Sequence, residues 1–312
     1  MEGSSQNPGR RALAWLRLLR LQFYPMAWVA YTVGALAARH RTGAFSPWNY
    51  WSGYLCLVLI EALTVISNEW FDQGTDRLNR NAGPFNGGSR VLVEGDLAPA
   101  SVRGAMIAAA LLVAGSLAGL ALTLPDGARP GLVLVAALAL LAPGYTVPPL
   151  RFCYRGLGEL DVGLTHGPVA ILCGAWLQSG PWRDPFPWLI GLPLLFATLA
   201  AIVLSGIPDH DADRAVGKRT LAVLLGPRGA ALAALGCAAG ALVCAAVWYG
   251  WGLYGGRSGD GLLLALPHGL GLVWAIGRFL RRGAPCTRID GLMVLALTYI
   301  LWFGLIPLAR LA

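Results

Sequence analysis

Residues 54–80 read "YLCLVLIEALTVISNEWFDQGTDRLNR". An apolar run that suits a bilayer core, which takes about 20 helical residues to cross, ends in Asn68, Asp72 and Asp76, spaced four residues apart. At i, i+4 and i+8 a helix drifts only about 40° per step and climbs ~6 Å. The three side chains therefore form one oxygen-lined stripe. Acids at such a depth are costly unless they are solvated, paired or facing a cavity.

The whole chain carries the same signature. Its 312 residues are 56% hydrophobic and 13% charged, with a mean hydropathy of +0.59, too apolar for the surface of a soluble protein. Apolar stretches near 21–38, 50–71, 103–124, 131–148, 162–180, 187–207, 229–250, 261–278 and 291–309 predict nine transmembrane helices. Alternating the intervening loops puts 18 of the 24 Lys and Arg on the side of the N-terminus. By the positive-inside rule, that side is cytoplasmic. The net charge of +8 thus reports topology and gives no reason to expect a nucleic-acid partner. Residues 1–20, polar then basic and amphipathic, read as a cytoplasmic interfacial segment ahead of a single domain over 21–312. The start is read as retained, because removing the first apolar run, which contains Pro25, would spoil the alternation. The six cysteines show no CxxC spacing and suggest neither a disulfide framework nor a zinc site. Nor does any His/Cys cluster suggest a transition metal, and His210 reads as an exposed loop residue.

Six of the 16 acids fall in two short windows: Glu69, Asp72 and Asp76, and then Asp209, Asp211 and Asp213 in "SGIPDHDADRAVGKRT". One such cluster alone would read as solvated helix-end charge. Two on the same side of the membrane point to a site. If the second segment is helical, Asp209 and Asp213 make a second stripe and Asp211 points elsewhere. Two facing carboxylate stripes require positive charge between them. Magnesium suits an all-oxygen donor set and commonly bridges carboxylates to phosphates. Arg77, Arg80 and the loop "PFNGGSRVLVEG" with Arg90 follow the first cluster, and Arg214, Lys218 and Arg219 follow the second. These basic groups are suited to a diphosphate.

"NEWFDQGTD" and "DHDAD…GKRT" resemble the two aspartate-rich motifs of the UbiA superfamily of intramembrane prenyltransferases. "YTVPPLRFCYRGLGELDVGLTHGP" at 145–168 resembles the intervening segment of the branch that acts on 1,4-dihydroxy-2-naphthoate. Glu69 stands where Asp is usual, and Ser205 where Asn is common. Pro149, with Arg151 two residues on, stands where the hydroxybenzoate branch carries Lys.

The resemblance implies an all-α bundle whose central cavity opens to the cytoplasm. It also implies isoprenyl transfer from a polyprenyl diphosphate to an aromatic acceptor, a quinone precursor or else 4-hydroxybenzoate, a lipid alcohol or a tetrapyrrole. Two magnesium ions would be held by Asn68, Asp72, Asp76, Asp209 and Asp213. Arg90 and Lys218 would bind diphosphate, and Tyr145, Arg151 and Glu61 would bind substrate. Asp211 is a candidate base. Trp70, Phe71 and Tyr145 could face an allylic cation or simply belong to an interfacial aromatic belt. Glu61, one heptad before Asn68 and about 10 Å deeper, either lines the acceptor cavity or is a protonated group bonded between helices. A cation transporter is the non-enzymatic alternative, but its acids should lie near the bilayer midplane. Phosphotransferases of CDP-alcohols place their Asp pairs in one short stretch, unlike these two distant clusters.

Overall fold

The computed structural model describes residues 8–253 and 260–312. Among them the fold is helical throughout, with one isolated backbone bridge between Gly83 and Asn86. An amphipathic helix α1 (Pro8–Leu19) is followed by α2 (Tyr24–Thr42), α3 (Pro47–Phe71), a short α4 (Gln73–Leu78), α5 (Pro99–Thr123), α6 (Arg129–Leu141), α7 (Gly158–Leu164), α8 (Ala170–Leu177), α9 (Phe186–Ala215), α10 (Leu221–Gly250), α11 (Asp260–Arg281) and α12 (Asp290–Leu311).

Eight segments among the described residues are long and apolar enough to cross a membrane. These match eight of the nine expected spans; α7 and α8 act as one span, joined by a wider turn over Thr165–Val169. Pro168 and Gly167, the latter at φ −100°, ψ −111°, break the regular ladder there. The first expected span corresponds to α2, which is helical for 19 residues but ends in Arg39, His40 and Arg41. Its apolar length falls short of the other eight, so a count of nine rests on this helix alone.

Helix α2 nevertheless belongs to the bundle interior. Tyr31, Val33 and Ala35 are buried, and the helix packs on α8 and α12. The approach to α8 is backbone to backbone: a Cβ on Gly34 would lie 1.7 Å from the Ile171 carbonyl oxygen. Small residues at membrane helix interfaces permit this proximity, and close van der Waals contact substitutes for a hydrophobic driving force that lipid does not supply.

At its start, α3 is capped by the Ser46 hydroxyl, which accepts from the Asn49 N–H at 3.2 Å, with Pro47 in the first turn. Helix α1 lies across its other end, burying Ala14 and Leu18 against Ile66, Val91, Leu92 and Leu97. Arg17 fixes this arrangement by donating to Asp96 (2.8 Å), Glu94 (2.7 Å) and the Ser89 carbonyl (3.0 Å). The segment read as a surface-lying helix thus also clamps the glycine-rich loop of residues 87–97.

Candidate active site

The first acidic stripe survives a break in its helix. Helix α3 stops at Phe71, and Asp72 adopts φ −95°, ψ 4° before α4 begins. The Asp72 N–H still donates to the Asn68 carbonyl and the Asp76 N–H to the Asp72 carbonyl, both at 2.9 Å, so the four-residue spacing holds. Asn68 Nδ2 donates to Asp72 Oδ2 at 2.8 Å. The second stripe is fully helical, because α9 runs on through Pro208 to Ala215 and carries Asp209 and Asp213 one turn apart.

Lys218 joins the two stripes. Its Nζ lies 3.0 Å from Asp72 Oδ1 and 3.4 Å from Asp213 Oδ1, with all three side chains 7% exposed. Asp213 Oδ2 also accepts from the Thr220 hydroxyl at 3.3 Å. The positive charge required between facing carboxylates is therefore supplied by the chain itself. Burial pulls the Lys218 ammonium down, but Asp72 and Asp213 outweigh it and raise its pKa well above the ordinary lysine value. Of the basic residues that follow the two motifs, Arg77, Arg80, Arg214 and Arg219 are exposed and only Lys218 turns inward.

Asp76 sits beyond this bridge. Its carboxyl is pushed up to about 7, first by burial and then by Asp72 and Glu69, partly offset by Arg20 and Lys218. Gly88, at φ +74°, lies against it, and a Cβ there would be 2.2 Å from Asp76 Oδ2. Arg90, itself at φ +62°, donates to the Asp76 backbone carbonyl at 2.7 Å and lies 3.5 Å from Glu94. It was expected on diphosphate; here it fixes the turn that carries Asp76.

Asp209 is cradled by groups that sequence reasoning passed over. Asn79 Nδ2 and Asn86 Nδ2 each donate to its Oδ1 at 2.6 Å, and the Gly87 N–H donates to Oδ2 at 3.3 Å. Glu69, buried, accepts from the Ser89 N–H at 3.0 Å and lies 3.7 Å from Arg20, so it anchors the glycine-rich loop from behind. Glu159, also buried, accepts from the Leu221 N–H at 2.7 Å and caps α10. Amide side chains three and ten residues beyond the first motif were the available signal for Asn79 and Asn86.

The other expected residues divide between the acidic site and its surroundings. Asp211 is 80% exposed and bonds to His210 Nδ1 at 2.8 Å, off the stripe shared by Asp209 and Asp213. His210 is not an exposed loop residue: it lies in α9 and is only 12% exposed. Despite the absence of a sequence-local His/Cys cluster, His210, Asp211 and Cys286 bring their ligand atoms within 4.8 Å of one another. Ser205 bonds back to the Ile202 carbonyl at 2.8 Å. Arg151, at φ +46°, lies over the Tyr154 ring at 3.7 Å, and its charge reaches Cys153, which also feels Lys218, Asp72 and Asp213. Tyr145 lies near enough to Lys218 for its charge to be felt. Trp70 packs among the α1 contacts and Phe71 faces outward. Deeper in the bundle, Glu61 Oε1 is 3.8 Å from His166 Nε2, with Tyr24 and Tyr54 around the same small cavity.

The donor set tests whether a divalent cation fits. Asn68, Asp72, Asp76, Asp209 and Asp213 offer only oxygens, four of the residues are carboxylates, and Asp72 Oδ1 lacks a hydrogen-bond donor of proper geometry. Gly88 presents no side chain of its own to the Asp76 carboxylate, where even a Cβ would collide. A hard divalent ion that keeps some water fits this cluster.

An all-helical membrane bundle with two buried acidic motifs joined by a lysine defines an intramembrane enzyme class, and the comparisons name it. Residues 26–308 match the UbiA prenyltransferase family, to which this chain belongs. It is 28% identical over 247 residues to the 1,4-dihydroxy-2-naphthoate octaprenyltransferase of Escherichia coli (strain K12), covering 76% of this chain and 77% of the relative. It is 30% identical over 229 residues to the 2-carboxy-1,4-naphthoquinone phytyltransferase of Synechocystis, covering 72% and 69%. In fold it is similar to a UbiA homolog from Aeropyrum pernix K1 (TM-score 0.69, 20% identity, 92% of this chain and 97% of that one). A UbiA homolog from Archaeoglobus fulgidus bound to GPP and Mg2+ is also similar (TM-score 0.62, 16% identity, 96% and 99%). The chain is thus an integral membrane prenyltransferase with relatives in the naphthoate branch.

Proposed function

We propose that this protein transfers an isoprenyl group from a polyprenyl diphosphate to an aromatic quinone precursor of the 1,4-dihydroxy-2-naphthoate type. The observation that carries this reading is the Lys218 bridge, which brings the two acidic motifs from α3–α4 and α9 to one buried point. The naphthoate relatives support the acceptor class.

In this reading, Asn68, Asp72, Asp76, Asp209 and Asp213 would hold magnesium, two ions in number, which when bound would supply Lewis-acid charge for the departing diphosphate. Lys218, held at this point by Asp72 and Asp213, would add a positive group for the diphosphate at the leaving oxygen. Asn79, Asn86 and Gly87 hold Asp209, and Arg90 with Gly88 holds Asp76, so the donor set is rigid before substrate arrives. Tyr145 presents an aromatic face beside this point. Glu61 and His166 line the deeper part of the cavity, where they orient the acceptor hydroxyl and accept its proton. Arg151 steers the acceptor carboxylate. Asp211, exposed and paired with His210, is assigned no step. The site opens toward the side of the N-terminus, which the distribution of Lys and Arg makes cytoplasmic. Residues 8–20 act as the described part of an interfacial segment ahead of a single domain over 21–312; residues 1–7 of that segment lie outside the described residues.

The test uses purified protein in detergent with magnesium, geranylgeranyl diphosphate and a panel of acceptors that includes 1,4-dihydroxy-2-naphthoate and 4-hydroxybenzoate. Asp72→Ala and Asp209→Ala run alongside. Metal-dependent prenyl-naphthoate formed by the parent and lost in both variants is the expected result. Product only with another acceptor would replace the acceptor assignment, and diphosphate release without product would leave only the ionisation step standing.

A further inference from the structure

The ends of α11 and α12 form an open, groove-like cavity of about 600 Å³ away from the acidic site. Arg278, Arg282 and Arg288 line it, together with Trp274, Ile289 and Leu295. Arg288 is partly spent: it pairs with Asp290, its Nε 3.0 Å from Asp290 Oδ2. Among the described residues, neither Arg278 nor Arg282 has a carboxylate partner. The Arg278 guanidinium lies 5.6 Å from the centre of the Trp274 ring, which holds it at the cavity wall.

The outer face of α11 changes character along its length. Leu263, Leu270 and Trp274 are exposed at 40%, 63% and 59%, Arg278 follows one turn after Trp274, and Arg282 is exposed just past the helix end. An exposed apolar stripe on a membrane helix faces acyl chains, a tryptophan marks the headgroup level, and the arginines beyond it meet phosphate. A free anion would have no use for the apolar stripe, whereas a phospholipid would occupy both parts. The arginines also stand on the face that carries 18 of the 24 Lys and Arg. An arginine fork gives a phosphate bidentate contacts that an ammonium does not.

We propose that this cavity binds one anionic phospholipid, its phosphate between Arg278 and Arg282 and its chains along Leu263, Leu270 and Trp274. The site touches the catalytic framework from outside. The Asn81 Nδ2 donates to the Cys286 carbonyl at 3.0 Å, and a Cβ on Gly83 would lie 3.0 Å from Asp290 Oδ1. The bound lipid therefore braces the 81–86 loop, whose Asn86 holds Asp209.

Native mass spectrometry on the full chain in detergent tests this, with phosphatidylglycerol or phosphatidylcholine added in equal amounts. The parent should retain one phosphatidylglycerol with roughly tenfold preference, equivalent to ~1.4 kcal/mol. Arg278→Gln with Arg282→Gln should abolish that preference, while Arg10→Gln with Arg11→Gln on the exposed face of α1 should leave it intact. Arg282→Gln alone, at an exposed position, should reduce it severalfold and keeps the test valid should the double variant not fold. Unchanged preference in the arginine variants overturns the site. Equal loss in the α1 control reduces it to general surface charge. Displacement of the lipid by millimolar inorganic diphosphate assigns the pocket to a free anion instead.

Discussion

Replacing Lys218 with methionine removes the only ammonium between Asp72 and Asp213 while keeping most of the side-chain volume. In the structure those carboxylates lie 3.0 and 3.4 Å from Nζ and are almost wholly shielded from water. Removing one partner of a buried ion pair leaves uncompensated charge and typically costs about 3–5 kcal/mol. In metal-free buffer with a chelator, Lys218→Met should therefore unfold well below the parent, by roughly 10 °C at the ~2–4 °C per kcal/mol usual for a chain of a few hundred residues. Magnesium supplies positive charge to the same carboxylates, so it should restore much of the loss and stabilise the variant more than the parent. Thermal unfolding in detergent, with chelator or with magnesium, gives the four melting temperatures required. Activity should stay low even with metal, because the leaving diphosphate lacks its fixed cation. A metal-free Lys218→Met that melts with the parent would refute the argument, since it would mean that the carboxylates do not depend on Lys218 for compensation.

Other perturbations probe the surrounding framework. Gly88→Ala places a methyl 2.2 Å from Asp76 Oδ2 at a φ of +74°, and should lower turnover by two orders of magnitude or more with little loss of folded protein. The Asp76 carboxyl, raised from 3.8 to about 7, favours the metal-free folded state fully below pH ~4 and ceases to as pH rises through about 7. Metal binding needs the carboxylate, so magnesium affinity measured by calorimetry should fall with pH below 7, up to about tenfold per pH unit, and be nearly flat above it. Asn86→Ala removes one of two 2.6 Å donors to Asp209 and should raise the magnesium requirement severalfold in steady-state assays, while acceptor KM stays constant. His166→Ala should do the reverse, raising acceptor KM and leaving metal-dependent diphosphate release in place, since it lies with Glu61 rather than with the acids.

Much of this molecule was legible in the chain because membranes impose strict local rules. A bilayer core demands long apolar helices whose backbone polar groups are internally bonded, so eight spans appear in the sequence, although α9 and α10 each run about eight residues beyond the expected bounds at the end expected to be cytoplasmic. The four-residue spacing of Asn68, Asp72 and Asp76 survived a break in α3, because backbone bonds across Asp72 preserve the turn. The sequence also pointed to two oxygen-donor clusters on one side of the membrane, and the fold brings them together around Lys218.

What no local rule could decide was direction and partnership. Six basic residues accompany the motifs, and only packing selects Lys218 as the one buried between them. Arg90 looked like a phosphate ligand, and in the fold it donates to the Asp76 carbonyl and lies beside Glu94. Glu69 and the pair Asn79 and Asn86 became framework because the loop of residues 79–92 folds back over α3 and α9, a contact between segments more than a hundred residues apart for Asp209. Asp211, two residues from each motif carboxylate, faces away because helical geometry rotates it by about 200° from either. Charge and spacing along the chain set which groups were available, and the tertiary structure alone decided which of them meet, because buried electrostatics depend on distances that sequence separation does not encode.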